Sequence, residues 1–169
     1  MVNVAHDCYN SSGRASRNQL SLSSGNFQIS AKNKFVVIGC DTYAYLSTTS
    51  GNDSHSTGCI ATCNRNSPIT NGSCSGVGCC EVAVPEGLKA YDKSRRILGS
   101  FNNHSDILDF NPCSYGFFVE EGKFTFSTTY LANFESVKTL MTGSSTVADP
   151  GIFSTGVTFL DVPISYDRT

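Results

Sequence analysis

The sequence is poor in charged residues. Lys and Arg number 12 and Asp and Glu 14, so charged residues make up 15% of the 169 residues, against about 25% in an average soluble domain. The formal net charge of −2 gives the whole chain no attraction to nucleic acid or to an anionic membrane. Ser, Thr, Asn and Gly supply the polar surface instead, which favours an exported protein over a cytosolic one.

Long apolar runs are also absent. No stretch of about 18 apolar residues occurs, so no membrane-spanning helix is predicted. Residues 1–8 lack the charged start and the apolar core of a signal peptide. The chain nevertheless carries eight cysteines, which is typical of disulfide-bonded exported domains. We therefore expect it to be a piece of a longer exported protein.

The motifs of several enzyme classes are missing as well. Neither type of phosphate loop, no kinase signature set and no G-x-S-x-G nucleophile elbow is found. The neighbours His104, Ser105 and Asp106 have the residue types of a hydrolase triad, but such triads assemble in space rather than in sequence. No enzymatic activity is predicted.

Three cysteines and three glycines fall within residues 71–80, which we call the cysteine hub. Cys79 and Cys80 are adjacent, and a bond between them would strain the intervening peptide. We expect them to face opposite ways and to bond different partners, while the glycines permit tight turns with positive φ. The spacings also suggest a zinc site, but disulfides are favoured, and no metal or cofactor is predicted. The candidate disulfide residues are Cys8, Cys40, Cys59, Cys63, Cys74, Cys79, Cys80 and Cys113.

Two further sets of polar residues are candidate sites. Asn-x-Ser/Thr sequons mark candidates for N-glycosylation, in a number that chance nearly accounts for; they begin at Asn10, Asn52, Asn71 and Asn103. A basic cluster suits a carboxylate polymer, because Arg binds carboxylates bidentately and Tyr offers a ring face, although a solvated loop is the simpler interpretation. Its candidate ligand-binding residues are Lys89, Tyr91, Lys93, Arg95 and Arg96.

Hydrophobic periodicity predicts a mainly β fold, with a small α+β module as the alternative, stapled by disulfides and carrying long polar loops. Residues 34–40 form a short apolar run typical of a buried strand. Residues 41–45 are predicted to continue that strand, with Tyr43 and Tyr45 on one face.

The second half of the chain contains a hairpin signal. Residues 115–119 and 123–127 flank Glu120-Glu121-Gly122, which predicts two paired strands with positive φ at Gly122. The polar stretches 48–56 and 64–73 are predicted to be loops. Residues 133–140 fit a short helix or a strand, and residues 157–160 fit an edge strand or a frayed end.

Four segments occur together in an order and spacing typical of a known family: residues 33–44, Gly58-Cys59-Ile60, the cysteine hub with residues 84–88, and residues 110–120. Together they resemble the extracellular region of plant wall-associated receptor-like kinases. The resemblance runs from about Cys8 to Leu131. It implies an extracellular, disulfide-rich β module at the cell-wall side of the plasma membrane, in a receptor that spans this membrane and carries a cytoplasmic kinase.

The resemblance also suggests a domain division. Residues 1–131 are predicted to be the extracellular cysteine-rich domain, in which residues 1–20 are the end of a truncated galacturonan-binding segment. Residues 132–169 are predicted to be a divergent tail, because they lack the tryptophan and the further cysteine usual in the family. Cys8 is expected to have lost its native partner.

The functional prediction is a non-catalytic receptor fragment that contributes to pectin binding and cell-surface signalling. Galacturonate carries a carboxylate on each sugar, so its binding should depend on salt, on Lys and Arg, or on bridging calcium. Tyr43, Tyr45 and Tyr91 are candidate stacking surfaces. The alternatives are a structural spacer without a ligand, a truncated non-functional gene product, or a small secreted enzyme. Neither nucleic acid nor direct membrane contact is predicted.

Overall fold

The chain forms a mainly β structure, as predicted. The computed structural model describes residues 5–12, 15–18, 27–50, 53–86, 96–100, 104–133, 137 and 164–168. The helical residues within these ranges are a 3-10 turn at His104–Asp106, the helix α1 at Thr129–Ala132 and the single residue Val137. The strands are β1 Ala5–Tyr9, β2 Ala15–Asn18, β3 Phe27–Ile29, β4 Asn33–Ile38, β5 Thr42–Ser50, β6 Asp53–Ala61, β7 Cys79–Ala83, β8 Arg96–Ser100, β9 Cys113–Glu120 and β10 Tyr166–Arg168.

A five-stranded antiparallel sheet lies at the centre, in the order β2-β1-β9-β4-β7. Both faces of β4 and β9 are buried, which explains why their sequences are continuous apolar runs. On one face, Phe35 packs in a cluster with Leu46 of the three-stranded sheet β6-β5-β8. On the other face, Phe117 packs in a cluster with Phe126 and Leu131.

The strand predicted to continue from residue 34 to residue 45 is two strands in different sheets. The backbone turns between β4 and β5, where Gly39 has a φ of 152° and Asp41 a φ of 53°. A Cβ atom on Gly39 would lie 2.8 Å from Thr42 Oγ1 and 2.9 Å from Ser114 Cβ. Glycine at this position therefore allows the chain to leave the central sheet.

The predicted hairpin is wrong in its second strand. β9 pairs with β1 on one side and with β4 on the other, so both of its edges are occupied. Residues 123–127 are irregular, and Phe126 instead covers the central sheet with 2% of its surface exposed. Gly122 does have a positive φ, of 77°.

The polar stretch 48–56 was predicted to be a loop, but its described residues, 48–50 and 53–56, lie in strands β5 and β6. β5 and β6 pair along their whole length, from Thr42 opposite Ala61 to Ser50 opposite Asp53. The threonines in this stretch are β-branched and favour extended backbone, an effect that outweighs the polar composition. Residues 64–73 do form the irregular segment that was predicted.

Residues 164–168 return to the domain. β10 pairs with β3, Asn33 Nδ2 donates to the carbonyl of Ser165 at 2.8 Å, and the Ser165 amide donates back to Asn33 Oδ1 at 3.0 Å. The predicted edge strand at 157–160 and most of the segment 133–140 lie outside the described residues, and the domain division after residue 131 stays a prediction. Of the helices described, none has the length and apolar character needed to cross a bilayer.

Candidate functional site

The eight cysteines are all paired, in four disulfides. The adjacent residues Cys79 and Cys80 bond different partners, as predicted. Cys8 has a partner, contrary to the expectation, because β1 lies beside β9 and places it directly opposite Cys113. The thiols are consumed in these bonds, so they cannot serve as zinc ligands. The pairs are Cys8–Cys113, Cys40–Cys63, Cys59–Cys80 and Cys74–Cys79.

The cysteine hub fastens the end of β6 to the turn after β4. Gly72, Gly76 and Gly78 have φ values of 80°, 105° and 74°, which confirms the prediction of positive φ in this segment. The Thr62 amide donates to the Gly76 carbonyl at 2.9 Å, and the Gly39 amide donates to the Gly78 carbonyl at 3.0 Å. These bonds, together with the disulfides, fix the base of the three-stranded sheet.

The outer face of that sheet carries two parallel tyrosine rings. Along β5, Thr42, Ala44 and Leu46 are buried, while Tyr43 and Tyr45 alternate with them and remain partly exposed. The two ring centroids lie 6.5 Å apart, with an angle of 7° between the ring planes. The prediction that the two tyrosines share a face is confirmed, and the pair forms an aromatic surface that solvent reaches.

Glycines flank both tyrosines across the neighbouring strands. Gly58 on β6 lies opposite Tyr45, and Gly99 on β8 lies opposite Tyr43. A Cβ atom at Gly58 would collide with the Ala44 carbonyl and lie 2.8 Å from Tyr45 Cβ. The sheet therefore requires glycine beside Tyr45, and neither glycine has a side chain that could cover a ring.

Ile60 completes this surface. It lies opposite Tyr43 on β6, and 58% of its surface is exposed. In the sequence, Gly58 and Ile60 stand out only through the family resemblance. The sequence does not show that they lie opposite the two tyrosines, so it did not predict them as part of this surface. We call Tyr43, Tyr45, Gly58 and Ile60 the tyrosine face.

The other predicted site residues are placed as follows. Asn10 and Asn71 are exposed, whereas Asn52 and Asn103 lie outside the described residues. So do residues 87–95, which include most of the basic cluster and Tyr91. The backbone of Arg96 begins β8, where it pairs with Leu46 of β5.

His104 is a buried residue of the core and is not part of an accessible site. Its ring is fully buried, stacks on the ring of Tyr9 with centroids 3.7 Å apart, and bonds through Nε2 to the Asn111 carbonyl at 2.7 Å. Burial lowers the pKa of His104 below 6.5, and the bond to Asn111 partly offsets this effect. Ser105 Oγ donates to the exposed Asp106 carboxylate. A ring buried in this way is withdrawn from any substrate in solvent.

The described residues offer no group of three or more His, Cys, Asp or Glu side chains that could hold a metal ion. The arrangement they do offer is a rigid, disulfide-framed sheet that presents aromatic rings to solvent. Such a surface suits the apolar faces of sugars or of other flat ligands.

Comparison with known proteins gives one consistent result. Three receptors of Arabidopsis thaliana are similar to this chain. Wall-associated receptor kinase 2 is 46% identical over 124 residues, which are 70% of this chain and 16% of the receptor. Wall-associated receptor kinase 3 is 37% identical over 133 residues (73% and 18%), and wall-associated receptor kinase 1 is 34% identical over 129 residues (76% and 17%).

No family model and no solved structure matches the chain. The chain spans less than one fifth of the length of the curated relatives that it matches, and its sequence contains no kinase signature set. The disulfide-bonded β module and the identity to these receptors lead to one assignment: the chain belongs to the wall-associated receptor kinase family, as part of its extracellular region.

Proposed function

We propose that this module binds an acidic cell-wall polysaccharide of the galacturonan type and contributes in this way to cell-surface signalling. The observation that carries the proposal is the tyrosine face. Its two rings are parallel, lie 6.5 Å apart and belong to a strand held by paired neighbours on both sides. A sugar can place its apolar C–H face on such a ring with little loss of side-chain freedom.

The acidic groups of the polymer require local positive charge, because the chain as a whole has a net charge of −2. The basic sequence that includes Lys89, Lys93 and Arg95 runs directly into Arg96, the first residue of β8. β8 pairs with the strand that carries Tyr43 and Tyr45. This connection supports a shared role, in which the rings stack on the sugars and the basic residues bind carboxylates.

Calorimetry with oligogalacturonides of increasing length tests this proposal. The double variant Tyr43→Ala/Tyr45→Ala should bind about tenfold more weakly or worse, because two stacking contacts are lost. The matched control, Tyr43→Phe/Tyr45→Phe, keeps both rings and should retain most of the affinity. Thermal unfolding of each variant separates a binding defect from misfolding.

Salt dependence tests the charge component. Affinity should fall as ionic strength rises, and Lys93→Gln/Arg95→Gln should flatten that dependence. A folded alanine variant that binds as tightly as the parent would contradict the role of the tyrosine face.

The second candidate function is that of a structural spacer. The Cys8–Cys113 bond favours it, since this bond joins two neighbouring strands of the central sheet, β1 and β9, across a sequence separation of 105 residues. If a protein extended to the full length of the ectodomain shows no affinity for any pectic oligosaccharide, the spacer is the correct function.

A further inference from the structure

Two of the sequons lie within the described residues, and both of their asparagines are exposed. Exposure and sequence therefore do not distinguish Asn10 from Asn71. The hydrogen bonds of the two side chains distinguish Asn10 from Asn71. We propose that Asn10 is the acceptor for an N-linked glycan in the folded module, and that the tertiary structure prevents glycosylation of Asn71.

The sequon at Asn10 is closed on itself. Asn10 Oδ1 accepts a hydrogen bond from the Ser12 amide at 3.0 Å and another from Ser12 Oγ at 2.7 Å. This is an asparagine turn, in which the side chain satisfies the backbone two residues later. Both hydrogen bonds fall on the oxygen and polarise the carboxamide, which makes the protons on Nδ2 easier to remove.

The modification is a group transfer from a lipid-linked oligosaccharide pyrophosphate, which the secretory pathway supplies. Nδ2 forms a bond to C1 of the first sugar, while the bond from C1 to the pyrophosphate oxygen breaks. The pyrophosphate leaves with the electron pair of that bond, and one Nδ2 proton passes to a base of the transferase. Loss of this proton is the step that the polarised carboxamide of Asn10 assists.

The sequon at Asn71 is opened by the tertiary structure. Asn71 Oδ1 accepts a hydrogen bond from the amide of Thr128, at 2.8 Å and 57 residues away. The Ser73 amide donates to the Thr70 carbonyl at 3.2 Å, and Ser73 Oγ pairs with Ser75 Oγ at 3.0 Å. The Ser73 amide, which would close this sequon, donates elsewhere. Asn71 Oδ1 therefore has the Thr128 amide in place of the two Ser12 donors found at Asn10, and the Asn71 carboxamide fixes the approach to α1.

The position of Asn10 also accommodates a glycan. Asn10 directly follows β1, in the connection to β2, an edge strand of the central sheet. A bulky polar group at that corner faces solvent and blocks pairing of a second chain along the β2 edge. A sugar attached there lies in a different part of the chain from the tyrosine face, so the inference does not depend on the proposed ligand.

The test uses unglycosylated, disulfide-bonded protein incubated with a purified oligosaccharyltransferase and a lipid-linked oligosaccharide. Occupancy is measured by mass spectrometry of peptides after enzymatic deglycosylation. Asn10 should be modified to an extent about fivefold or more above Asn71, the ratio expected when hydrogen bonds favour one site. Reduction and unfolding should bring the two sites toward equal occupancy.

A second variant isolates the tertiary hydrogen bond. Thr128 has a φ of −59°, close to the value that proline fixes, so Thr128→Pro removes the amide that donates to Asn71. Occupancy at Asn71 should rise in this variant, while that at Asn10 stays the same. Equal or greater modification of Asn71 in the folded parent protein, or modification of neither asparagine, overturns the proposal.

Discussion

At the scale of single residues, Asn111 organises the start of β9. It is fully buried, and its Oδ1 accepts from the Cys40 amide at 2.7 Å. Its Nδ2 donates to the carbonyls of Cys113 and Leu131 at 2.8 and 3.1 Å. One side chain thus connects the turn after β4, the start of β9 and the end of α1.

Replacement of Asn111 by Asp should destabilise the domain severely. The new carboxylate faces two carbonyl oxygens in place of the lost donor, so a buried charge and two unsatisfied acceptors cost about 3 kcal/mol or more. The change in the free energy of unfolding can be measured by urea denaturation. Asn64→Asp is the matched control, because exposed Asn64 uses its Oδ1 as an acceptor from the Asn66 amide, and its cost should be within about 0.5 kcal/mol. Equal losses for the two variants would contradict this role of Asn111.

His104 should make the stability of the domain depend on pH. Burial holds the pKa of His104 below 6.5 in the folded state. At pH values between the folded and the unfolded pKa, the unfolded chain therefore binds a proton that the folded chain does not bind. The free energy of unfolding should therefore fall as the pH decreases from about 6.5 toward the folded pKa, and be unaffected by this group above that range. Denaturation at a series of pH values would show it. A His104→Gln variant with the same slope as the parent protein would exclude His104 as the cause.

The sequence predicted those residues whose role is local. Positive φ at Gly78 and Gly122 follows from turn chemistry that neighbouring residues reveal. The roles of Asn111 and Ile60 were not predictable. The partners of Asn111 lie up to 71 residues away, and the exposure of Ile60 depends on which strand lies opposite it.

At the scale of secondary-structure elements, the fate of residues 123–127 was decided by their neighbours. Their alternating pattern is that of a strand, and this part of the sequence taken alone favours a hairpin with β9. β1 and β4 occupy both edges of β9, and β1 comes from the opposite end of the sequence. The local sequence does not show that β1 and residues 123–127 compete for the same edge of β9. The apolar runs of β4 and β9, by contrast, were sufficient to predict buried strands.

Alanine substitutions distinguish the observed loop from the predicted strand. Phe126 is 2% exposed and packs in the core cluster with Phe117 and Leu131, while Phe124 is only partly buried. Phe126→Ala should cost about 3–5 kcal/mol of unfolding free energy, and Phe124→Ala clearly less, as measured by chemical denaturation. A greater loss for Phe124→Ala would contradict the packing described for this segment.

At the scale of the whole molecule, the disulfides form an outer bond around three inner ones. Cys8–Cys113 has a sequence separation of 105 residues, and the other three pairs lie within that span. The sequence predicted the oxidised state and the divergent partners of Cys79 and Cys80. It did not predict the pairing, because many connectivities are compatible with eight cysteines.

The outer bond should contribute more stability than the smallest inner bond. In the chain-entropy account, loss of Cys8–Cys113 costs about 4 kcal/mol, after allowing for the inner bonds that shorten its loop, whereas loss of Cys74–Cys79 costs about 2 kcal/mol. The paired variants Cys8→Ser/Cys113→Ser and Cys74→Ser/Cys79→Ser can be compared by thermal unfolding. The reverse order of stability would show that local packing, rather than loop closure, determines the effect.

The same Cys8–Cys113 bond determines how the domain responds to mechanical tension. A pull applied before residue 8 and beyond residue 113 passes through the covalent link, so the chain between these two cysteines, which are 105 residues apart in sequence, is never stretched. Tyr43 and Tyr45 lie within that sheltered span. A module anchored at its two ends can therefore carry load while its tyrosine face keeps an undistorted shape.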